Sequence, residues 1–328
     1  METILTGIQS TGQPHIGNYL GAIKPAIHLA QSFQSYLFIA DYHSLTKIHR
    51  SDEFHHNVYE VAATWLACGL NPEKAVIYRQ SDIREIFELA WILACFTPKG
   101  FMNRAHSYKD KVAKNLEAGN KDPDFGISMG LFNYPILMSA DILLFSANKI
   151  PVGEDQIQHI EFARDIAQKF NNNYGDIIKL PEALVQKEVK IVPGLDGRKM
   201  SKSYNNHIPL FVDSKKLRKL IMKIKTDSSP PESPKDPENS LIFDLYKEFS
   251  TESQQQELRA WYLRGIGWGE AKQVLFEAID KELSEKREVY NQFMEDPSRL
   301  DKILFEGAQK ARDVAKINLD KIREAVGV

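Results

Sequence analysis

"TILTGIQSTGQPHIGN", residues 3–18, stands almost at the start of the chain and decides how the rest is read. Its first six residues are mostly aliphatic or β-branched and form a predicted strand. Turn residues follow, and a helix is predicted from near Gly17. Strand, glycine loop and helix in that order make one unit of a parallel α/β sheet. Gly7 and Gly12 have the spacing of a Walker phosphate loop, yet Gln13 and Pro14 occupy the places of its Lys and its Ser or Thr. Backbone N–H groups at such a helix start attract anions, and Gly12 and Gly17 let a phosphate come close. His15 and Asn18 add side-chain donors. Taken alone, the stretch also reads as a glycine-rich turn with a surface histidine.

Further β-rich runs repeat the unit: "YLFIAD" (36–41), "AVIYRQ" (75–80), "KIPVG" (149–153) and "VKIVP" (189–193). Amphipathic helical patterns lie between them. In one, Phe54, Val58, Val61, Trp65 and Cys68 recur every three or four residues, with Ser51 as the N-cap and Gly69 as the stop. Pro25 interrupts the helix after the opening loop, predicting a kink or an early end there. Strands alternating with helices predict a parallel, doubly wound α/β sheet, whose ligands collect at the carboxyl ends of its strands. After residue 205 the pattern becomes helical. "SKKLRKLIMKIK" (214–225) places six cations around an apolar stripe of Leu217, Leu220, Ile221 and Ile224. "TDSSPPESPKDPENS" (226–240) is an irregular connection with four prolines. The last segment sets Ala315, Leu319, Ile322 and Val326 on one helix face.

The composition narrows the class. Hydrophobic residues make up 43% and charged residues 26% of the 328, as in an ordinary globular chain of two domains. A formal net charge of −2 means that a polyanionic partner must be met by a local basic patch. Cys68 and Cys95 form no metal or disulfide pattern. There is no apolar run of membrane-spanning length, and a strand beginning near residue 3 leaves no room for a signal peptide. A cytoplasmic protein with no membrane partner is expected.

Three other stretches could carry chemistry. "GRKMSKS" (197–203) sets Lys199 and Lys202 among small residues after the last predicted strand. Two ammonium groups on a mobile loop can neutralise a leaving polyphosphate, although a solvated turn has the same composition. In "NYPILMSADILLF" (133–145), Asp141 is the only charge, and a carboxylate there requires a donor or a cation. On a helix, Tyr134, Met138 and Asp141 share one face. A ligand N–H would satisfy the carboxylate, and so would a backbone N–H or a core Arg. "PVGEDQIQHIEFARDIA" (151–167) puts Glu154, Asp155 and Gln156 at a helix start, which suits either capping or a ribose hydroxyl. His43, in "DYHSLT" (41–46), lies at a strand end, where a structural histidine is the default.

Together these stretches resemble one family. "PHIGN" (14–18) is similar to the HIGH signature of the class I aminoacyl-tRNA synthetases, with Asn18 in its last place, and "KMSKS" (199–203) is the second signature of that class. With "TGIQSTGQPHIGNYLG" (6–21), "MSADILLF" (138–145) and the "GEDQ" stretch, the chain resembles the bacterial-type tryptophanyl-tRNA synthetases over nearly its whole length. The resemblance implies a Rossmann-like catalytic domain over residues 1–206. A helical, tRNA-anticodon-binding domain over 207–328 would follow, its last helix packed back on the first. It implies attack of the tryptophan carboxylate on the α-phosphate of Mg-ATP, release of pyrophosphate, and transfer to tRNA(Trp). His15 and Asn18 would stabilise the moving phosphate, with Lys199, Lys202 and Lys109 as further phosphate contacts. Gln9, Ser10, Thr11, Gly17, Gly153, Glu154, Asp155, Ile191, Met200, Ser201 and Ser203 would line the ATP site. Asp141 would accept the indole N–H, and Tyr134 and Gln156 would face the amino group. Met138, His43 and Val152 would enclose the ring, with Leu5 where an aromatic often stands. Mg2+ would arrive with ATP, held by no protein side chain, and a homodimer would bind tRNA across both subunits. The rivals are a tyrosyl-tRNA synthetase, a small HxGH nucleotidyltransferase, and a synthetase-like RNA-binding or regulatory protein.

Overall fold

The computed structural model describes residues 2–153, 156–185 and 192–328. Five strands form one parallel sheet: β1 (Thr3–Ile8), β2 (Gln34–Ile39), β3 (Ala75–Arg79), β4 (Lys149–Val152) and β5 (Glu182–Val185). Their spatial order is β3-β2-β1-β4-β5. The chain builds outward from β1 to β3, then returns to the other side of β1. That reversal opens a crevice beyond the carboxyl ends of β1 and β4, where parallel sheets bind ligands. The glycine loop leaves β1 there. Gly7 is needed within the strand itself, because a Cβ on it would lie 2.4 Å from Cζ of Phe38 on β2.

The fifth strand differs from the predicted one. Residues 189–191 of "VKIVP" lie outside the described residues, and Pro193 forms only an isolated bridge with Lys199. The strand beside β4 is "EALV", with Glu182 opposite Lys149 and Val185 opposite Val152. It is four residues long with one β-branched side chain, so propensity gives it no signal. Pro25 neither ends nor breaks its helix. A π turn over Tyr19–Ile23 joins Ile16–Asn18 to Lys24–Leu29, which places Pro25 in the first turn of a new segment. The wider turn accommodates a residue without an N–H. In the Ser51–Ala67 helix the cap position falls on Arg50, one residue before the expected Ser51, and Gly69 ends the run at φ +101°.

The helices Ser214–Ile221, Leu241–Lys247, Glu252–Arg264, Trp268–Glu295 and Pro297–Val326 follow. Leu217 and Ile221 of the basic helix are buried in one continuous apolar cluster with Ile16, Val61 and Leu283. The long helix Trp268–Glu295 reaches the opening segment directly, since Tyr19 Oη donates to Glu282 Oε1 at 2.8 Å. The last helix lies across β3. A Cβ on Gly307 would stand 1.8 Å from the Ile77 carbonyl oxygen, so only glycine permits this approach. Ala315, Leu319 and Ile322 are buried there, with Val326 half-buried. Arg312 pairs with Glu85 at 2.8 Å to fix the helix in place.

Candidate active site

The fold brings together two loops that are 191 residues apart. Lys202 Nζ donates to the Thr11 carbonyl oxygen at 3.0 Å, and a Cβ on Gly12 (φ +93°) would come within 3.4 Å of the same ammonium. Gly17 N–H points at the Met200 sulfur, 3.3 Å away. Between the loops lies a cleft of about 200 Å³, lined by Gln9, Thr11, Gly12, His15 and Asn18 on one side and Ser201 and Lys202 on the other. The first wall is anchored by the segment that follows the second loop: Ile16 N–H donates to the Ile208 carbonyl at 2.9 Å, and Leu210 N–H to the Pro14 carbonyl at 2.9 Å.

His15 and Asn18 cap each other. Asn18 N–H donates to His15 Nδ1 at 3.2 Å, and His15 N–H donates to Asn18 Oδ1 at 3.0 Å. An Nδ1 that accepts leaves the imidazole proton on Nε2, where it can donate to a ligand. Burial, then the Lys202 ammonium and His207, lower the His15 pKa from 6.5 to about 4. The ring is therefore neutral at neutral pH. Between 6.5 and about 4 the unfolded state binds the proton that the folded state refuses, so this group's contribution to stability falls as pH falls. Relative to His15→Gln, the wild type is expected to lose stability through that window in urea unfolding. A difference that does not change with pH would contradict the buried, neutral ring.

The second loop is held by a residue with no sequence signal. Asn206 is buried; its Nδ2 donates to Asp196 Oδ1 at 2.7 Å and to the Lys199 carbonyl at 3.2 Å. Its Oδ1 accepts from Ser201 N–H at 2.8 Å. Ser201 Oγ in turn accepts from Ser203 N–H at 3.2 Å. Burial lowers the Lys202 pKa, and the Glu60 carboxylate opposes that shift. Lys47 likewise carries no sequence signal, yet its Nζ donates to Gln9 Oε1 at 3.3 Å on the first wall.

The isolated carboxylate of the apolar helix Met129–Leu144 has found partners. Asp141 is 0% exposed. His43 Nε2 lies 2.9 Å from its Oδ2, and Gln80 Nε2 donates to Oδ1 at 2.8 Å and to Oδ2 at 2.9 Å. Burial raises the Asp141 pKa, while the bonds from His43 and Gln80 oppose the rise. Tyr134 stands beside His43, its ring centroid 6.4 Å away, and its hydroxyl is bonded to Ser107 Oγ at 2.9 Å. Met138 and Val152 are half-buried and pack against the apolar core that holds Ile136, Ala140 and Ile142 of this helix, and Leu5, 2% exposed, belongs to that core. Ser10 Oγ donates to Ser44 Oγ at 3.1 Å, which ties the glycine loop to the residue that follows His43. Gly153 follows β4 and Gln156 opens the next helix at the surface. Glu154, Asp155 and Ile191 lie outside the described residues. Lys109 is exposed on the helix His106–Glu117, and no described hydrogen bond joins it to the opening loop.

The geometry therefore sets an anion cleft at the glycine loop and a buried acceptor, Asp141, within the apolar core. Residues 2–284 match the family model of tRNA synthetases class I (W and Y). The chain is 53% identical over 327 residues to the tryptophan–tRNA ligase of Neisseria meningitidis, covering 99% of this chain and 97% of that protein. It resembles the crystal structure of Campylobacter jejuni tryptophanyl-tRNA synthetase complexed with ADP and tryptophan, with a TM-score of 0.92 and 48% identity over 99% of this chain and 100% of that one. A tyrosyl-tRNA synthetase from Archaeoglobus fulgidus has a TM-score of 0.63 at 17% identity over 88% of this chain and 90% of that one, a likeness of fold alone. The chain belongs to the class I tRNA synthetases for tryptophan and tyrosine, and within them to the bacterial tryptophanyl group.

Proposed function

We propose that the chain activates L-tryptophan with ATP and transfers it to the 3′ end of tRNA(Trp). The observation that carries this reading is the single cleft formed by the glycine loop and the Lys202 loop. Phosphoryl chemistry asks mainly for positioning and charge stabilisation, and this cleft offers backbone N–H groups, an Nε2–H donor and a lysine. In the first step the tryptophan carboxylate attacks the α-phosphate. His15 and Asn18 follow the developing charge, and Lys199 and Lys202 neutralise the departing pyrophosphate. Mg2+ held on the ATP phosphates would supply further charge neutralisation. Asp141 accepts the indole N–H, and a buried acceptor rejects a ring without a donor far better than an apolar slot does. Gly153, Glu154, Asp155 and Ile191 are assigned to the ribose and adenine, and Lys109 to a phosphate. Tyr134 and Gln156 are assigned to the amino group. Labelled tryptophan incubated with ATP and tRNA(Trp) tests the whole reaction: ester-linked label on the tRNA is expected, and its absence would overturn the proposal.

The catalytic unit is proposed to span residues 1–206 and the tRNA-binding unit 207–328. The exposed cations of the Ser214–Ile221 helix and its continuation suit a polyphosphate backbone. Replacing Lys215, Lys216 and Lys219 with alanine is expected to reduce the salt slope of tRNA binding by about 2, and an unchanged slope would remove this face from the interface. A homodimer is part of the same reading. Trp91 is 73% exposed on the helix Glu85–Phe96, in line with Phe87, which packs on exposed Tyr42 with ring centroids 4.6 Å apart. An apolar stripe of this kind marks a protein interface. Sedimentation at micromolar concentration is expected to give a dimer for the wild type and a monomer for Trp91→Glu. Among the described residues no helix is long and apolar enough to cross a membrane, and we place the protein in the cytoplasm.

A further inference from the structure

Gln80 has no part in the reaction outlined above, yet it makes closer contact with Asp141 than any other residue described. It follows β3 directly and is 0% exposed. Its Nε2 donates to both carboxylate oxygens, at 2.8 and 2.9 Å. An ionised carboxylate only accepts, so the amide has to turn Nε2 toward it. That orientation leaves Gln80 Oε1 buried without a partner. A buried acceptor left unsatisfied costs free energy, so the contact with Asp141 prevails over the other needs of this side chain. The two carboxylate oxygens then differ. Oδ2 meets both His43 Nε2 and Gln80 Nε2, whereas Oδ1 meets Gln80 alone. Oδ1 is the oxygen with a lone pair to offer.

We propose that Gln80 is a positioning residue for amino-acid recognition: it fixes the plane of the Asp141 carboxylate so that Oδ1 faces the ring N–H of the substrate. It thereby sets how strongly tryptophan is preferred over ring analogues that lack the N–H. The inference rests on the reading of Asp141 as the indole acceptor. His43 alone could not do this, because a single bond to Oδ2 leaves the carboxylate free to turn about that contact.

The test is equilibrium binding of L-tryptophan and of the benzothiophene analogue of tryptophan, in which sulfur replaces the N–H, to the full-length protein. Gln80→Met keeps the volume and removes the donors. It is expected to weaken tryptophan at least about tenfold and the analogue less than about twofold, so that their ratio collapses. Gln80→Asn, with the amide drawn back, is expected to fall between. Equal weakening of both ligands in both variants would make the role structural and overturn the proposal, as would unchanged binding. Asp141→Leu, measured alongside, separates the two claims. If it keeps the wild-type ratio, the indole-acceptor reading fails as well. If it loses the ratio while both Gln80 variants keep it, only the assignment to Gln80 fails.

Discussion

Lys202→Ala is expected to slow tryptophan-dependent exchange of pyrophosphate into ATP by about 100- to 1,000-fold, the usual loss when one preorganised charge-stabilising group is removed. The ammonium already rests on the glycine loop, 3.0 Å from the Thr11 carbonyl oxygen and beside Gly12. It needs little movement to meet a phosphate in the same cleft. The burial that lowers its pKa also strengthens its interaction with an incoming anion. The loss is expected in kcat, with the tryptophan KM within about threefold of wild type, because a group that acts mainly on the transition state leaves ground-state binding alone. Stability should hardly change, since the side chain gives up one bond to a carbonyl. A variant that exchanges pyrophosphate at half the wild-type rate would remove Lys202 from the chemistry.

Asp141→Ala is expected to act on the other substrate. Loss of a charged hydrogen bond to the ligand, about 1.5–3 kcal/mol, corresponds to a rise of about 10- to 150-fold in the tryptophan KM. The ATP KM should stay within about threefold, since the carboxylate is buried and does not line the phosphate cleft. The substitution also strands two buried donors. Gln80 Nε2 and His43 Nε2 lose their acceptor, and each unsatisfied group costs about 1–3 kcal/mol, so the variant should also unfold at lower urea. Equal changes in the two KM values would refute the indole role of Asp141.

The sequence made legible those features whose cause is local. β1, β3 and β4 are runs of β-branched and aliphatic residues between turn signals, and the structure puts strands there. Asp141 stands out because one charge in an apolar helix needs a partner, and its pairing with His43 and Gln80 supplies it. β5 escapes notice because its pairing with β4, not its composition, makes it a strand. Gln80, Asn206 and Lys47 escape for a related reason. Each is an ordinary polar residue whose importance lies in a contact made by the fold, such as the 61-residue separation bridged between Gln80 and Asp141. Trp91 hides for the opposite reason. The helix Glu85–Phe96 is apolar on most sides, so periodicity does not tell which tryptophan or leucine is left outside. The glycine loop is an intermediate case. Its anion-binding character is local, but the lysine that a Walker loop would carry within it comes from residue 202.

The central claim is that one cleft activates tryptophan with ATP. Exchange of labelled pyrophosphate into ATP, measured with purified protein and a panel of single amino acids without tRNA, tests it most directly. The account predicts rapid exchange with tryptophan and little with tyrosine or phenylalanine. No exchange with tryptophan, or faster exchange with tyrosine, would contradict it.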